Sequence, residues 1–322
     1  MSATHSRSLA SSVVCHTEST PKGALTLALR TVITERQRRL GLELRRLREQ
    51  AELTVSEASS LIGMGATHLS HIEAARTAIP EDRLRALAEA YQVKDEPYID
   101  ALVEMSESSG KGWWSAYRKF FPQFTLDLAE LESRATAIHS YETLVIPGLL
   151  QTESYMRTLF RKGRPGASRE EIERLVRFRR ERQEILGACP TVTFHAVIHE
   201  AALRVAVGGA QVMKEQVVHL ARASKKPGVT IQFLPFEAGV SSGWFSAPFT
   251  LLSPGVPGLE TVVAEHPSAN LRLSGAETIA QYQATLARLS ENSLPPMQGD
   301  ESQEMHERRD SLGLVRHVLY TY

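Results

Sequence analysis

The stretch that most constrains this chain is residues 54–76, TVSEASSLIGMGATHLSHIEAAR. Ala58, Ile62, Leu69 and Ile72 recur at helical spacing on either side of Gly63-Met64-Gly65. This pattern predicts two short helices around a tight turn, each burying one face in a shared core. Ser59 is small where the two helices must cross closely. Gly63 follows four residues later, where the first helix has to stop. Thr54, with Glu57 three residues on, forms a capping-box pattern that fixes the start of the first helix.

The flanking sequence extends this unit into a bundle. Leu40, Leu44, Leu47 and Ala51 mark the buried stripe of one helix over residues 34–52. Pro80 with Glu81 and Asp82 reads as a helix start, Leu84, Leu87, Ala88 and Tyr91 as a core face, and Tyr98, Leu102 and Met105 as another. The result is about five helices over 34–105, laid out as a helix-turn-helix unit whose second helix is presented to a major groove. Net charge is zero over the 322 residues, so no global field advertises nucleic acid, but residues 36–48 hold six arginines against the single Glu43. Such a local surplus matters more for phosphate contact than the total does. Arg45, Arg46 and Arg48 fall off the buried stripe, leaving them free for either solvent or phosphate.

The unit resembles the XRE class, the Cro/phage-repressor-like helix-turn-helix regulators, down to Leu-Ser-His-Ile-Glu at 69–73, close to that family's Val/Ile-Ser-Arg-Ile-Glu. The resemblance implies double-stranded DNA as a partner. Thr54, Ala66, Thr67, His68, His71 and Arg76 are the DNA-facing candidates of the unit, and Arg45 and Arg46, off the buried stripe beside it, are candidates for phosphate contact. Four residues depart from the family pattern. Ala66 and His68 stand where relatives carry Gln and Lys or Arg, His71 where they carry Arg, and Val55 where they carry Gln. Long multidentate donors to base edges are thereby lost. Thr67 retains one hydrogen bond or a thymine-methyl contact, and His68 and His71 retain donors to phosphate or base nitrogens. Arg76 falls where relatives hold a phosphate. Glu73 reads as an acceptor for a neighbouring arginine, since negative charge near phosphate is unfavourable.

Residues 1–33, rich in Ser and Thr, read as a disordered arm, and 106–112 as a polar linker. From 113 to 290 the pattern alternates and predicts an α+β domain. Helices are expected over 124–141, 152–160, 168–186, 200–204, 211–224 and 277–289, and strands over 191–198, 229–236, 245–252 and 259–265. The fold class is therefore a mainly α N-terminal bundle followed by an α+β domain. Trp113 and Trp114 open that domain. Adjacent tryptophans on a helix start cannot both face one core, so one is left for an interface or pocket unless both are partly buried. Residues 291–322 read as a linker and an apolar tail that either packs or frays. The motifs Gly112-Trp-Trp, Val145-Ile-Pro-Gly-Leu-Leu-Gln-Thr-Glu-Ser-Tyr155, His199-Glu-Ala-Ala-Leu-Arg204 and Val229-Thr-Ile-Gln-Phe-Leu-Pro-Phe236 resemble actinomycete-type bacterial regulators that join an XRE domain to an antitoxin-like C-terminal domain. That resemblance covers roughly 34–290. It implies a regulator that binds a small cognate partner protein, and it gives no residue-level site in the C-terminal domain.

Other functions are weakly supported. Two cysteines, Cys15 and Cys189, form neither a disulfide framework nor a metal cluster, and suit a reducing cytoplasm. No apolar run approaches the roughly 20 residues of a spanning helix. Residues 239–243 match G-x-S-x-G, but a strand-like run follows where a nucleophile elbow needs a helix. His195 and His199 on one strand would stand about 13 Å apart, too far to share an ion. No enzyme activity, metal or cofactor is expected. The chain reads as a regulator that binds a palindromic operator as a homodimer. The alternative is an interaction protein with a degenerate helix-turn-helix that works mainly by binding a small partner.

Overall fold

A computed structural model describes residues 29–188, 192–242, 247–264, 271–297 and 310–322. Both cysteines, residues 1–28 of the expected arm and residues 298–309 of the expected linker lie outside the described residues.

The N-terminal part is helical: α1 Glu35–Gln50, α2 Val55–Leu61, α3 Ala66–Glu73, α4 Glu81–Ala90 and α5 Glu96–Ser106. Thr34 caps α1 and Thr54 caps α2, each with a reciprocal glutamine or glutamate bond from the third helical residue. Leu40, Leu44, Leu47, Ala58, Leu69, Ile72, Leu84, Leu87 and Leu102 are buried together. The expected stripes are therefore the real ones.

One device ends four of these helices. After α1, α2, α3 and α4 the chain turns back through paired bonds, such as Met64 N–H to Ser59 O at 2.8 Å and Arg76 N–H to His71 O at 2.8 Å. The residue at the turn is left-handed each time: Glu52, Gly63, Ala75 and Gln92, with φ of 57°, 60°, 58° and 58°. This is a Schellman ending, which glycine occupies without strain. Only Gly63 supplies one, which is why only that stop was legible in the sequence.

The C-terminal part holds α6 Gln123–Ser133, β1 Ala137–Glu142, α7 Glu153–Gly163, α8 Arg169–Gln183, α9 Ile185–Ala188, β2 Thr193–His199, α10 Ala201–Arg204, α11 Ala210–Ala223, β3 Val229–Leu234, β4 Phe249–Ser253, β5 Thr261–Ala264, β6 Leu271–Leu273, α12 Ala276–Glu291 and α13 Ser311–Thr321. The strands form one sheet in the order β3-β2-β1-β4-β5-β6. β1, β2 and β3 run parallel and are joined through helices; β4 to β6 are antiparallel. The mainly α bundle followed by an α+β domain is thus the observed fold class. One face of the sheet (Phe194, Ala196, Ile198, Ile231, Phe233) packs against α7, α10, α11 and α13. The other (Tyr141, Val197, Leu251, Val262) packs against α12.

One expectation is corrected, and one left open is decided. The helix anticipated over 124–141 ends at Ser133, and residues 137–142 are the strand at the middle of the sheet, between β2 and β4. An apolar run that short carries no reliable period of its own. The apolar end of the chain does not fray: Leu312, Val315 and Val318 of α13 enter the main core, and Ser311 Oγ accepts the Phe233 N–H at 3.1 Å.

The two parts share a seam. Leu259, between β4 and β5, is 4% exposed and sits in the core of the helical bundle. Arg39 of α1 donates to the carbonyls of Gly258 and Ser274, both at 2.6 Å. The linker at 106–112 is also tied down, because Gln37 donates to Ser108 O and Ser108 Oγ to Glu130.

Candidate nucleic-acid interface

The packing of α3 decides what it can present. Leu69 and Ile72 are buried, which turns Ala66, Thr67, Ser70, Ala74 and Arg76 outward; His68 and His71 are half-buried. Thr67, Ser70 and Ala74 follow one another at helical spacing on a single exposed face. Ser70 carries no signal in the sequence beyond its position three residues after Thr67. His68 is less available than its position suggests, since its Nε2 is enclosed and has no hydrogen-bond partner. Thr54 is exposed, but its hydroxyl is engaged with Glu57 in the cap.

Two ties hold α3 in place. Arg48 Nε and Nη2 donate to the two carboxylate oxygens of Glu73 at 2.7 and 3.1 Å, with both side chains less than a tenth exposed. This is the arginine acceptor role read for Glu73. The second tie comes from the segment before α1. The Arg30 N–H donates to Arg76 O at 2.8 Å, and its guanidinium to the carbonyls of Ala75 and Thr77 at 3.1 and 3.4 Å. The loop that carries Arg76 is therefore strapped from behind. The Arg76 side chain itself is exposed and has no partner among the described residues.

The arginines of α1 do not form an open cationic face. Each of the six reaches a carboxylate: Arg36 to Glu104, Arg38 to Glu35, Arg39 and Arg46 to Glu43, Arg45 to Glu49, and Arg48 to Glu73. Glu43, almost fully buried, also accepts from the Tyr98 hydroxyl at 2.5 Å, and burial together with that bond drives the Tyr98 pKa upward. Arg46 completes this network, donating to Tyr98 Oη at 2.9 Å and to Gln50. Arg45 differs. It is 61% exposed and paired only with the exposed Glu49, an i,i+4 pair on the surface. Such pairs are screened by solvent, add little to stability and leave the cation free to swing.

The tryptophans divide. Trp114 is buried and Trp113 is 37% exposed, edge-on to Trp114 and 5.2 Å from Phe178. Tyr117 and Phe121 stack in the same cluster. In the sheet, His195 Nε2 lies 2.8 Å from Gln232 Oε1, and the His199 Nδ1 accepts the Ala201 N–H. Both histidines are thus engaged locally. Among the described residues no group of His, Cys, Asp or Glu is placed to hold a metal ion. Ser241 of the G-x-S-x-G pattern falls near the end of a turn over Phe236–Ser242; Gly243 lies outside the described residues, and no helix is described between that turn and β4. No helix among the described residues is long and apolar enough to cross a membrane.

Comparison with known proteins agrees with this division of the chain. Residues 39–102 match a helix-turn-helix domain family, and residues 125–301 match a family described as a domain of unknown function, DUF5753. No curated protein and no solved structure matches the chain. With a match that spans more than half of its length, placed behind a helix-turn-helix domain as in XRE-type regulators, the chain belongs to the DUF5753 family.

Proposed function

We propose that this protein is a DNA-binding transcriptional regulator that inserts the exposed face of α3 into a major groove. The observation that carries the reading is the presentation of α3: its apolar face is anchored, its C-terminal end is tied by Arg48–Glu73 and by Arg30 just beyond it, and the unpartnered Arg76 stands at its exit. Thr67 and Ser70, flanked by Ala66 and His71, offer short donors and a thymine-methyl contact. Arg76 and Arg45 supply phosphate contacts, with Thr54 at the start of α2; Arg46, exposed but bonded to Glu43, Gln50 and Tyr98, and the half-buried His68 contribute less. A single unit reads one half-site, so the operator is roughly palindromic and the protein acts as a homodimer. The DUF5753 domain carries dimerisation and the binding of a small partner protein or signal.

Two observations favour the second reading, an antitoxin-like interaction protein with a degenerate helix-turn-helix: all six α1 arginines are already paired, and α3 carries no long donor. The deciding experiment is binding of the purified protein to its own upstream DNA across a salt series, with Arg76→Ala in parallel. The regulator reading expects saturable, sequence-selective binding that falls steeply with salt, and a mutant whose log–log salt slope is shallower by about one. Binding that ignores sequence, or an unchanged slope in the mutant, would overturn it in favour of the partner-binding reading.

A further inference from the structure

A cavity of about 80 Å³ lies at the seam between the helical bundle and the sheet domain. At roughly 10–15 Å³ per water-sized position, it has room for about six non-hydrogen atoms. Arg36 and Glu104 line it from the bundle side and Arg134 from just beyond α6; Ala101, Leu131 and Leu252 are among the apolar residues that form most of its walls.

Arg39 lines the cavity too, and its Nε is likewise enclosed and unpartnered, but both its terminal nitrogens are taken, by the carbonyls of Ser274 and Gly258 and by Glu43. Arg36 is the less satisfied of the two. It is 6% exposed, yet among the described residues only its Nη2 has a partner, Glu104 at 3.0 Å; its Nε is enclosed and unpartnered. Three other arginines of this chain fill both donors of that edge with one carboxylate: Arg48 on Glu73, Arg157 on Glu173 and Arg182 on Glu132. Arg36 therefore presents a half-used fork beside a cavity, and a buried donor left without an acceptor is costly. Its one partner is weakly committed. Glu104 is 59% exposed and is shared with Arg134 at 3.5 Å. The buried Glu130 also lies close enough to Arg36 to favour its charge.

We propose that this cavity binds a small organic carboxylate with a short apolar tail, the carboxylate taking both donors of the Arg36 edge and the tail lying against Ala101, Leu131 and Leu252. Glu104 swings out to solvent, where Arg134 keeps it company. The site bridges α1 and α5 to α6 and β4, so its occupant would fasten the bundle to the sheet domain. The binding does not depend on whether the protein recognises DNA.

Butyrate, with six non-hydrogen atoms, is the probe, titrated calorimetrically into the full-length protein beside butylamine and inorganic phosphate. Saturable binding of butyrate alone is expected. Glu104→Gln removes the competing carboxylate from an exposed position and should tighten butyrate binding three- to ten-fold. Ala101→Leu fills the apolar end and should abolish it, and Arg36→Gln should abolish it as well if that variant folds. A merely structural Arg36–Glu104 pair would give no gain in E104Q. Failure of butyrate to bind both the wild type and E104Q overturns the proposal and leaves the cavity to water. Equal binding of butylamine, or of phosphate, overturns the assigned ligand class.

Discussion

Gly41→Ala puts the α1–α3 crossing to the test. Gly41 lies in the middle of α1, where glycine costs about 1 kcal/mol relative to alanine, so on helix propensity alone the substitution should stabilise. The geometry opposes this. A Cβ at position 41 would stand 2.4 Å from Glu73 O, 3.0 Å from its carbonyl carbon and 3.1 Å from Ile72 O. All three are backbone atoms of α3, so no side chain can rotate away. Ordinary contact is more than 3.4 Å, so α1 must retreat from α3 by about 1 Å at this point, opening the layer of Leu44, Leu69 and Ile72 beneath it. Overpacking of this kind costs about 1–3 kcal/mol. The clash is with backbone, which places the cost in the upper part of that range, about 2–3 kcal/mol; less the propensity gain, the expected net change is a loss of about 1–2 kcal/mol, read as a lower urea midpoint at unchanged slope. Gly163→Ala is the control. Gly163 is also helical, the last residue of α7, but a Cβ there meets nothing within 4 Å, so the substitution should be neutral or stabilising. A Gly41→Ala protein as stable as the wild type would show that α1 and α3 do not approach as closely as described.

Other outcomes follow from the same contacts. Glu73→Ala leaves the buried Arg48 cation without its bidentate partner and should cost about 3–5 kcal/mol in chemical denaturation, whereas Arg48→Met with Glu73→Leu should recover much of the loss. Gln92→Gly relieves a left-handed residue after α4 and should raise stability by up to about 1 kcal/mol. Burial depresses the pKa of His139, His195, His199 and His219 below the usual histidine value, with neighbouring cationic side chains adding to the effect at His219. The unfolded chain then binds more protons than the folded one. Stability should be complete above about pH 6.5 and fall as the pH drops below that value toward the folded-state pKa. Thermal unfolding between pH 7.5 and 5 should show this slope, and His195→Gln should flatten it.

The legible parts of the fold are those in which a local signal and the tertiary outcome coincide. Thr54 with Glu57 and Ser168 with Glu171 named two helix starts to the residue, because a capping box is satisfied within four residues. The buried faces of α1, α4 and α5 followed from spacing alone. Residues 137–142 were misread because a central strand takes its identity from its neighbours β2 and β4, which lie dozens of residues further along. β6, three residues long, was missed for the same reason. The candidate interface was legible as a place and less so as chemistry. Its position came from the pattern around Gly63, but the fate of the arginines came from partners distant in sequence. Arg36 meets Glu104, Arg48 meets Glu73, and Arg39 meets carbonyls more than 200 residues away. A count of basic residues does not say which are already paired. Nor did the sequence reveal that Arg30, on the margin of an expected arm, holds the loop behind α3.

The seating of Leu259 inside the helical bundle limits how this protein can be taken apart. Helix-turn-helix units are commonly thought of as interchangeable cassettes, and the family boundaries here, 39–102 and 125–301, invite a cut between them. A fragment cut there would keep every helix and still have a gap where Leu259 belongs, with the apolar surface around it opened to water. Burial of one leucine is worth about 1.5–3 kcal/mol, a large share of what a bundle of this size can muster. Recombination, natural or engineered, that grafts this bundle onto another body would have to bring a substitute for that one side chain. The two families in this chain are joined less like beads on a string than like a lid and the jar it was ground to fit.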